Sequence, residues 1–317
     1  MPLVVPPATR CALLSTLHDC PEPSETVAMT QVKDTDYLAE QMLRDYDAHT
    51  PGTPFADGLR VSIDEAYQLQ KRVARLREQR GEHLVGYKIG CVCPGNQERN
   101  GLSHPVYGRL WSTEQHASDV ALDTNEFANV AIEGELAISL CRDVEPTDTS
   151  IHVIAAAVDQ VFTVIELHNL VFYSDHSRGA ELIANNAIHA GVVCSAGTRP
   201  PTISTCTELS VALDGRTVAH WSGRRWPDDV LQAVPWLVAE LAKGGCQLKA
   251  GQTVLTGAWG PPLPLERQGP AGTPVRHPSG WDNLRGNVES GERRIVGRVE
   301  VVSTLFGGVG ASFSSFE

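Results

Sequence analysis

The segment AIEGELAISL, residues 131–140, is an apolar run of strand-forming residues interrupted by two glutamates. Side chains alternate between the two faces of a β-strand, so Glu133 and Glu135 point to the same face, with Cβ atoms about 6 to 7 Å apart. In a low dielectric the two charges repel, and one carboxyl group takes up a proton unless a cation lies between them. The segment predicts either a buried site for Mg²⁺ or Mn²⁺, which suit carboxylate oxygens, or a half-exposed strand whose glutamates face solvent.

The next long apolar run, FTVIELHNLVF at residues 162–172, carries a third glutamate, Glu166, between aliphatic neighbours. Its setting repeats that of the first two, and we expect it to supply a third carboxylate ligand. His168 shares the face of Glu166 if the strand continues through it. An imidazole at this position either binds metal or substrate, or is a hydrogen-bonded histidine of the core.

The overall charge of the chain restricts its partners. The 317 residues include 26 Lys plus Arg against 38 Asp plus Glu, which gives a formal net charge of -12. Nucleic acid and an anionic membrane surface are therefore disfavoured as partners. No window approaches the roughly 20 apolar residues that span a bilayer. An anionic small molecule would need a locally positive site, made by a metal or by a few basic side chains.

Eight cysteines are scattered along the chain without a CxxC pair. This distribution predicts reduced thiols and a cytoplasmic location. Cys91 and Cys93 suggest a thiolate metal site as an alternative, which is disfavoured because no second pair completes the usual four ligands.

Two amphipathic segments near the N-terminus predict helices, at about 35–47 and at 62–80. The second begins with a capping box, in which Ser62 precedes Glu65 by three residues. Both apolar stripes are most simply packing surfaces. These segments predict an N-terminal helical subdomain over residues 31–83.

The remainder of the chain differs from this subdomain in composition and in its predicted elements. Residues 1–30 are predicted to form a poorly ordered extension, and the segment 266–294, rich in Gly, Pro and charge, a long loop or insertion. From residue 84 onward, short strand-like runs broken by glycine mix irregularly with predicted helices at about 150–160 and 177–186. Irregular mixing of this kind indicates an α+β, or mixed α/β, fold.

Seven motifs in this order resemble the 2-keto-4-pentenoate hydratases of the fumarylacetoacetate hydrolase superfamily: SIDEAYQLQ, GYKIG, HPVYGRLW, IEGELAISL, VIELHNLVF, ELIANNAIHAGVV and LKAGQTVLTGAWGP. They cover most of residues 60–265. The resemblance implies a fumarylacetoacetase-like mixed β-roll as the catalytic domain, over residues 84–317. It also implies a homo-oligomer.

The same resemblance implies roles for individual residues. The metal ligands fall on Glu133, Glu135 and Glu166, and a catalytic role falls on Lys88 of the GYKIG motif. An ammonium beside the site can hold the substrate carboxylate or stabilise an enolate, and a depressed pKa would let it move protons. Taken alone, Lys88 would more simply be a strand lysine that extends its amine to solvent.

Further family segments suggest substrate contacts. Thr256 and Gly257 belong to the LTG turn that lines the family's pocket, where a hydroxyl can bind a carboxylate oxygen and a glycine permits close approach. Asn186, next to Asn185 in IANNAIHA, matches a family segment near the site, and ending a helix is an equally good explanation for both asparagines. His168 completes the predicted substrate-binding set.

The chain also departs from the family pattern. Family members commonly carry a Thr-Ser pair soon after the lysine motif, whereas Val92 and Cys93 occupy this region. The lost hydroxyls put the substrate in doubt more than the metal. The histidine-and-glutamate lid motif of the hydrolases that cleave C–C bonds is absent, which disfavours a hydrolase.

Together these features predict a lyase that depends on Mg²⁺ or Mn²⁺. It would hydrate a small 2-hydroxydienoate or 2-keto-enoic acid such as 2-hydroxypenta-2,4-dienoate, through an enolate stabilised by the metal. One alternative is a vinylogous 2-keto acid decarboxylase of the same superfamily. Another is a non-catalytic protein that binds metal or ligand.

Overall fold

The computed structural model describes residues 25–174, 178–265 and 297–314, with side chains from residue 35 onward. The predicted loop or insertion at 266–294 lies outside these residues, as do residues 1–24 of the predicted extension. Residues 25–30 of that extension are helical, since the first helix begins at Glu25.

The described residues form seven α-helices: Glu25–Asp47 (α1), Thr53–Ala56 (α2), Ile63–Gln79 (α3), Pro94–Arg99 (α4), Ile151–Ala155 (α5), Arg178–Ala184 (α6) and Val234–Lys243 (α7). Three short 3₁₀ helices lie at Ser112–Glu114, Thr124–Glu126 and Asn186–Ile188. The capping box predicted for α3 is confirmed. Ser62 Oγ accepts a hydrogen bond from the backbone N–H of Glu65 at 3.3 Å, and Glu65 Oε2 accepts one from the backbone N–H of Ser62 at 2.7 Å. The helix expected at 150–160 is shorter, because a strand begins at Val158.

Thirteen strands are formed by the same described residues: Leu84–Gly90 (β1), Val106–Trp111 (β2), Gln115–Ala117 (β3), Val120–Asp123 (β4), Val130–Leu140 (β5), Val158–Asn169 (β6), His189–Cys194 (β7), Thr205–Leu213 (β8), Arg216–Trp226 (β9), Thr253–Leu255 (β10), Leu263–Pro264 (β11), Arg298–Ser303 (β12) and Gly307–Ser314 (β13). One sheet has the order β2-β1-β10-β5-β6-β7-β3, with β11 paired to β5 outside this path, and the other has the order β4-β13-β12-β8-β9. The pairs β1–β10, β3–β7 and β4–β13 are parallel and the remaining pairs are antiparallel. The predicted α+β fold with mixed sheets is confirmed.

The central strand β5 is buried on both faces. One face carries Ile132, Leu136 and Ile138 into the main hydrophobic core, which also contains residues of the second sheet. Gly134 lies on this face, and a Cβ atom there would be only 2.9 Å from Val211 Cγ2. The two sheets therefore approach closely at Gly134, and the opposite face of β5 is left to the glutamates.

The N-terminal helices share a core with the β-rich part of the chain. Met42 of α1 and Leu69 of α3 belong to one buried cluster with Val106 of β2 and Leu182 of α6. This cluster fixes α1 and α3 beside the strands that carry the candidate site. None of the helices in the described ranges has both the length and the apolar composition required to cross a membrane.

Candidate active site

Two glutamates face each other across β5 and β6. The antiparallel register pairs Glu133 directly with Glu166, and it pairs His168 with Ala131. The side chain of Glu133 is 13% exposed and that of Glu166 is 1% exposed. A strand with solvated glutamates is therefore excluded. Like charges placed directly opposite each other destabilise a sheet unless a partner compensates them.

Lys88 reaches the same cluster from β1. The register through β10 places it on the face of β5 that carries the glutamates. Its Nζ lies 3.2 Å from Glu166 Oε1, and the residue is 3% exposed. Burial lowers the pKa of Lys88, but the attraction of Glu166, Glu133 and Glu135 outweighs burial and raises the pKa above its ordinary value. Without a cation, this charge arrangement therefore favours the ammonium form of Lys88 and not the depressed pKa considered from the sequence.

Glu135 is completely buried next to this pair. Its Oε2 accepts a hydrogen bond from the backbone N–H of Gly257 at 2.7 Å, and its Oε1 has no partner. Burial, with repulsion from Glu166 and Glu133, raises the pKa of Glu135 well above the ordinary value. Without a cation, Glu135 holds a proton, as expected for crowded carboxylates.

Glu166 titrates in the opposite direction. Burial alone would raise its pKa, but Lys88, His168 and His189 lower it below the ordinary value. His189 Nδ1 lies 2.8 Å from Glu166 Oε1. Glu166 is therefore ionised.

The donor set fits a divalent cation. Glu133, Glu166 and His168 each offer one ligand atom, and these atoms lie within 4.8 Å of one another. Glu166 Oε2 and Glu135 Oε1 are buried without hydrogen-bond partners. Hard carboxylate oxygens with unused lone pairs suit Mg²⁺, Mn²⁺ or Ca²⁺, and histidine is a common additional ligand. The predicted Glu135 lies beside this cluster rather than within it.

Sequence reasoning missed a second charged network behind Glu166. His189 Nε2 lies 4.0 Å from Glu114 Oε2, and neither atom has a hydrogen-bond partner. Glu114 Oε1 accepts a hydrogen bond from Tyr46 at 2.6 Å and forms an ion pair with Arg77 at 2.5 Å. This network connects α1 and α3 to the candidate metal cluster. The only sequence signal was a histidine that opens the apolar run HAGVVC.

A cavity of about 260 Å³ opens beside the cluster. Its lining combines residues of the cluster, basic and amide side chains, and apolar side chains: Lys88, Glu133 and His168; Asn96, Arg99, Asn100 and Arg178; and Cys91, Val106, Leu170, Phe172, Leu182, Ala187, Ile188, Pro261 and Pro262, with Gly90. A mostly apolar cavity with a few convergent polar groups is typical of a small-molecule site.

Asn186 has a structural partner. Its Oδ1 accepts a hydrogen bond from the backbone N–H of Arg109 at 2.7 Å, and its Nδ2 donates to the carbonyl of Arg109 at 2.9 Å. It begins a turn in which Asn186, Ala187 and Ile188 have φ values of 55°, 53° and 55°. Such left-handed values are costly for a branched residue and persist only where the surroundings hold them. The amide of Asn186 thus fixes the turn that presents Ala187 and Ile188 to the cavity.

The LTG turn lies against Glu135. Thr256 Oγ1 donates a hydrogen bond to the carbonyl of Leu136 at 2.8 Å. Gly257 has a φ of 109°, and a Cβ atom there would lie 2.5 Å from Val92 Cγ1. Neither residue is among those that line the cavity. A substrate contact by Asn186, Thr256 or Gly257 stays a prediction.

The CVCPG segment places one cysteine at the cavity and the other outside it. Cys91 lines the cavity, and burial raises its pKa to about 11, so it is a neutral thiol. Cys93 is exposed. Within the described residues, the candidate metal cluster contains no cysteine.

Comparison with known proteins gives relatives and a solved structure, although no protein-family model matches the chain. The chain is 28% identical over 224 residues to a 2-keto-4-pentenoate hydratase of Burkholderia vietnamiensis. This alignment covers 69% of this chain and 84% of that protein. The chain is also 27% identical over 215 residues to a 2-oxo-hept-4-ene-1,7-dioate hydratase of Escherichia coli. This alignment covers 65% of this chain and 80% of that protein. The resemblance to the 2-keto-4-pentenoate hydratases is confirmed.

A solved structure shares the fold. The 4-oxalocrotonate decarboxylase from Pseudomonas putida G7, complexed with magnesium and adipate, superimposes with a TM-score of 0.72 at 18% identity. The likeness covers 89% of this chain and 98% of that chain.

Proposed function

Because the chain resembles the 2-keto-4-pentenoate hydratases, we propose that it is a divalent-metal-dependent lyase. It would add water to a small 2-hydroxydienoate or 2-keto-enoic acid. The candidate substrate is 2-hydroxypenta-2,4-dienoate. The observation that carries the proposal is the buried cluster of Glu133, Glu166 and His168, which adjoins Lys88 at the wall of a cavity. Three glutamates adjoin one lysine, so that Glu135 holds a proton unless a cation is bound, and this crowding of buried carboxyl groups supports a bound cation.

Glu133, Glu166 and His168 would hold the ion, and Glu135 is the predicted further ligand, since its Oε1 has no other partner. We propose Mg²⁺ or Mn²⁺ because both prefer oxygen donors. When bound, the ion would supply Lewis acidity toward the substrate carboxylate and its 2-oxygen.

Side chains of the cavity would stabilise the negative charge and exclude bulk water. Lys88, an ammonium, would stabilise negative charge on the substrate carboxylate or enolate oxygen. The apolar wall made by Phe172, Leu182 and Ile188 would exclude bulk water from the diene. The 2-hydroxyl loses a proton and the terminal carbon gains one, which gives a conjugated ketone. Water then adds across the remaining double bond, with its hydroxyl on the fourth carbon.

The direct test follows the loss of diene absorbance when the purified protein is incubated with Mg²⁺ or Mn²⁺ and 2-hydroxypenta-2,4-dienoate. Glu133→Gln is expected to lose turnover, and Glu145→Gln, a change at an exposed loop residue, should retain it. Retention of wild-type turnover by folded Glu133→Gln would contradict the proposal.

A vinylogous 2-keto acid decarboxylase is the second candidate, favoured by the fold shared with 4-oxalocrotonate decarboxylase. It would use the same charge-stabilising groups. Release of carbon dioxide from 2-oxohex-3-enedioate, without hydration of the dienoate, would select it. Binding of oxalate together with Mg²⁺ and no turnover of either acid would instead select a non-catalytic protein.

The proposal includes three further predictions. The protein is cytoplasmic, it forms a homo-oligomer, and its substrate contacts Asn186, Thr256 and Gly257. His168, which lines the cavity, is a candidate for both metal and substrate contact. Size-exclusion chromatography with light scattering would measure the oligomeric state.

A further inference from the structure

Two arginines line the cavity of the candidate site, although the chain as a whole is acidic. Arg99 is the last residue of α4 and Arg178 is the first residue of α6, whereas Lys88, Glu133 and His168 lie on strands. The positive charge at the cavity wall therefore comes from segments separate from the candidate metal cluster. In a protein of net charge -12, two arginines beside one cavity create a local positive potential.

The backbone brings these two arginines together. The residues that follow them are hydrogen-bonded, since the N–H of Gly179 donates to the carbonyl of Asn100 at 2.9 Å. A Cβ atom at Gly179 would lie 2.7 Å from the carbonyl oxygen of Asn100 and 2.6 Å from Leu102 Cδ2. Glycine at this position permits the close approach. It sets the two arginine side chains on neighbouring stretches of backbone beside the same cavity.

The guanidinium of Arg99 is oriented by neutral groups. Its Nη2 donates to Asn96 Oδ1 at 2.6 Å, and its Nε donates to the carbonyl of Gly95 at 3.1 Å. No carboxylate of the described residues forms an ion pair with Arg99 within 4.0 Å. The charge of Arg99 is therefore available to an anion in the cavity. Arg178 donates from Nε to the carbonyl of Ser174 at 3.4 Å and adds a second charge at the same wall.

The lining also includes hydrocarbon surface from Leu170, Phe172, Leu182 and Ile188. A molecule that satisfies the whole cavity thus needs an apolar chain, one anionic end for Lys88 and the metal cluster, and a second anionic end for the arginines. The planar guanidinium offers parallel donors that match a carboxylate.

We infer that Arg99 and Arg178 form a second carboxylate subsite, so that the site prefers an unsaturated 2-hydroxy or 2-keto dicarboxylic acid to the five-carbon monoacid. This inference rests on the proposed function for the chemistry at the first carboxylate. Arg99 and Arg178 are specificity-determining residues that contact only the distal carboxylate.

The kinetic test compares two dienes with Mg²⁺ or Mn²⁺ present: 2-hydroxyhepta-2,4-dienedioate and 2-hydroxypenta-2,4-dienoate. The ratio of their kcat/KM values, diacid over monoacid, is expected to exceed 1 in the wild type and to fall about 10- to 100-fold in Arg99→Gln, because the distal carboxylate loses a charge-assisted partner. Arg178→Gln should lower the same ratio, and Arg99→Lys should restore part of it. Arg216→Gln, at an exposed position of β9, is the matched control and should leave the ratio unchanged.

Binding provides a readout that does not need turnover. Calorimetry with Mg²⁺ would compare adipate, which has two carboxylates, with hexanoate, which has one. Adipate should bind about 10-fold or more tightly than hexanoate, and Arg99→Gln should remove the difference. Equal affinity for the two acids in the wild type, or a kinetic ratio unaffected by both arginine substitutions, would overturn the inference.

The two proposals fail in different ways. If neither diene is hydrated but adipate binds more tightly than hexanoate in an Arg99-dependent manner, the hydratase proposal fails and the carboxylate subsite stands. If only the monoacid is hydrated and Arg99→Gln does not change its preference, the hydratase proposal stands and the subsite is refuted.

Discussion

Replacing Glu135 by glutamine should abolish a loss of stability that accompanies rising pH in the absence of metal. The raised pKa of Glu135 means that the folded chain binds this proton more tightly than the unfolded chain. Its contribution to stability is present at pH values below the ordinary pKa of about 4.3 and is lost as pH rises toward the folded pKa. Each pH unit between the two pKa values costs about 1.4 kcal/mol of unfolding free energy.

Glu135→Gln keeps the shape and removes the ionisation, so it should abolish this loss. Glu166, whose pKa is lowered, contributes with the opposite sign and acts below pH about 4.3, where stability falls with acidification. The two carboxylates therefore affect separate pH windows. Subtracting the Glu135→Gln curve from the wild-type curve gives the contribution of Glu135 together with its coupling to Glu133 and Glu166.

The assay is denaturant unfolding from pH 5 to 8, with a chelator and then with excess Mg²⁺ or Mn²⁺. With chelator, the wild type should lose stability with rising pH relative to Glu135→Gln. With metal, the wild type should regain stability, since the cation replaces the proton, and the variant should gain less. Glu145→Gln, at an exposed loop residue, is the control and should follow the wild type. Identical pH slopes for wild type and Glu135→Gln with chelator, or equal stabilisation of both by metal, would refute the reasoning.

Three further substitutions test the fold and the site. Lys88→Met should lower kcat/KM for the proposed hydration about 100-fold or more, and it should also raise divalent-cation affinity in calorimetry because it removes a competing positive charge; weaker cation binding would contradict this. Arg77→Met should destabilise the protein by about 3 to 5 kcal/mol in denaturant unfolding, because it leaves Glu114 buried without its cation, whereas Glu82 keeps its ion pair with Arg80; a loss below about 1 kcal/mol would show that the Glu114 carboxylate finds another partner. Gly134→Ala should cost about 1 to 3 kcal/mol in the same assay, because the added methyl group meets two valine side chains of the second sheet; an unchanged midpoint would mean that the sheets separate without strain.

The strand that carries Glu133 and Glu135 could be predicted because its signals are local. A dense apolar run fixes the strand, and a spacing of two residues fixes the shared face. The same holds for α3, whose capping box and stripe predict it within one residue of its observed start. The pairing of Glu133 with Glu166 depends on register, and only the structure provides it.

Other features lacked a local signal. Strand β9, with the sequence RTVAHWSGRRW, is mostly exposed and polar, so periodicity could not distinguish it from a loop. His189 and Glu114 lie far apart in the chain and become neighbours only through packing. Arg99 resembles any exposed arginine at the end of a helix until Gly179 brings α6 against it. Proximity between residues that are distant in the chain explains the second and third omissions.

The buried strands supply the candidate metal cluster, whereas the two arginines of the cavity come from α4 and α6. This separation affects how substrate specificity could change during evolution. Changes to the buried carboxylates of β5 and β6 disturb charges packed against each other and are costly. Arg99 is exposed, and substitutions at such positions usually alter stability by no more than about 0.5 kcal/mol. Related proteins could therefore acquire specificity for a different substrate acid through substitutions in α4 and α6, while the residues that carry the reaction chemistry stay the same.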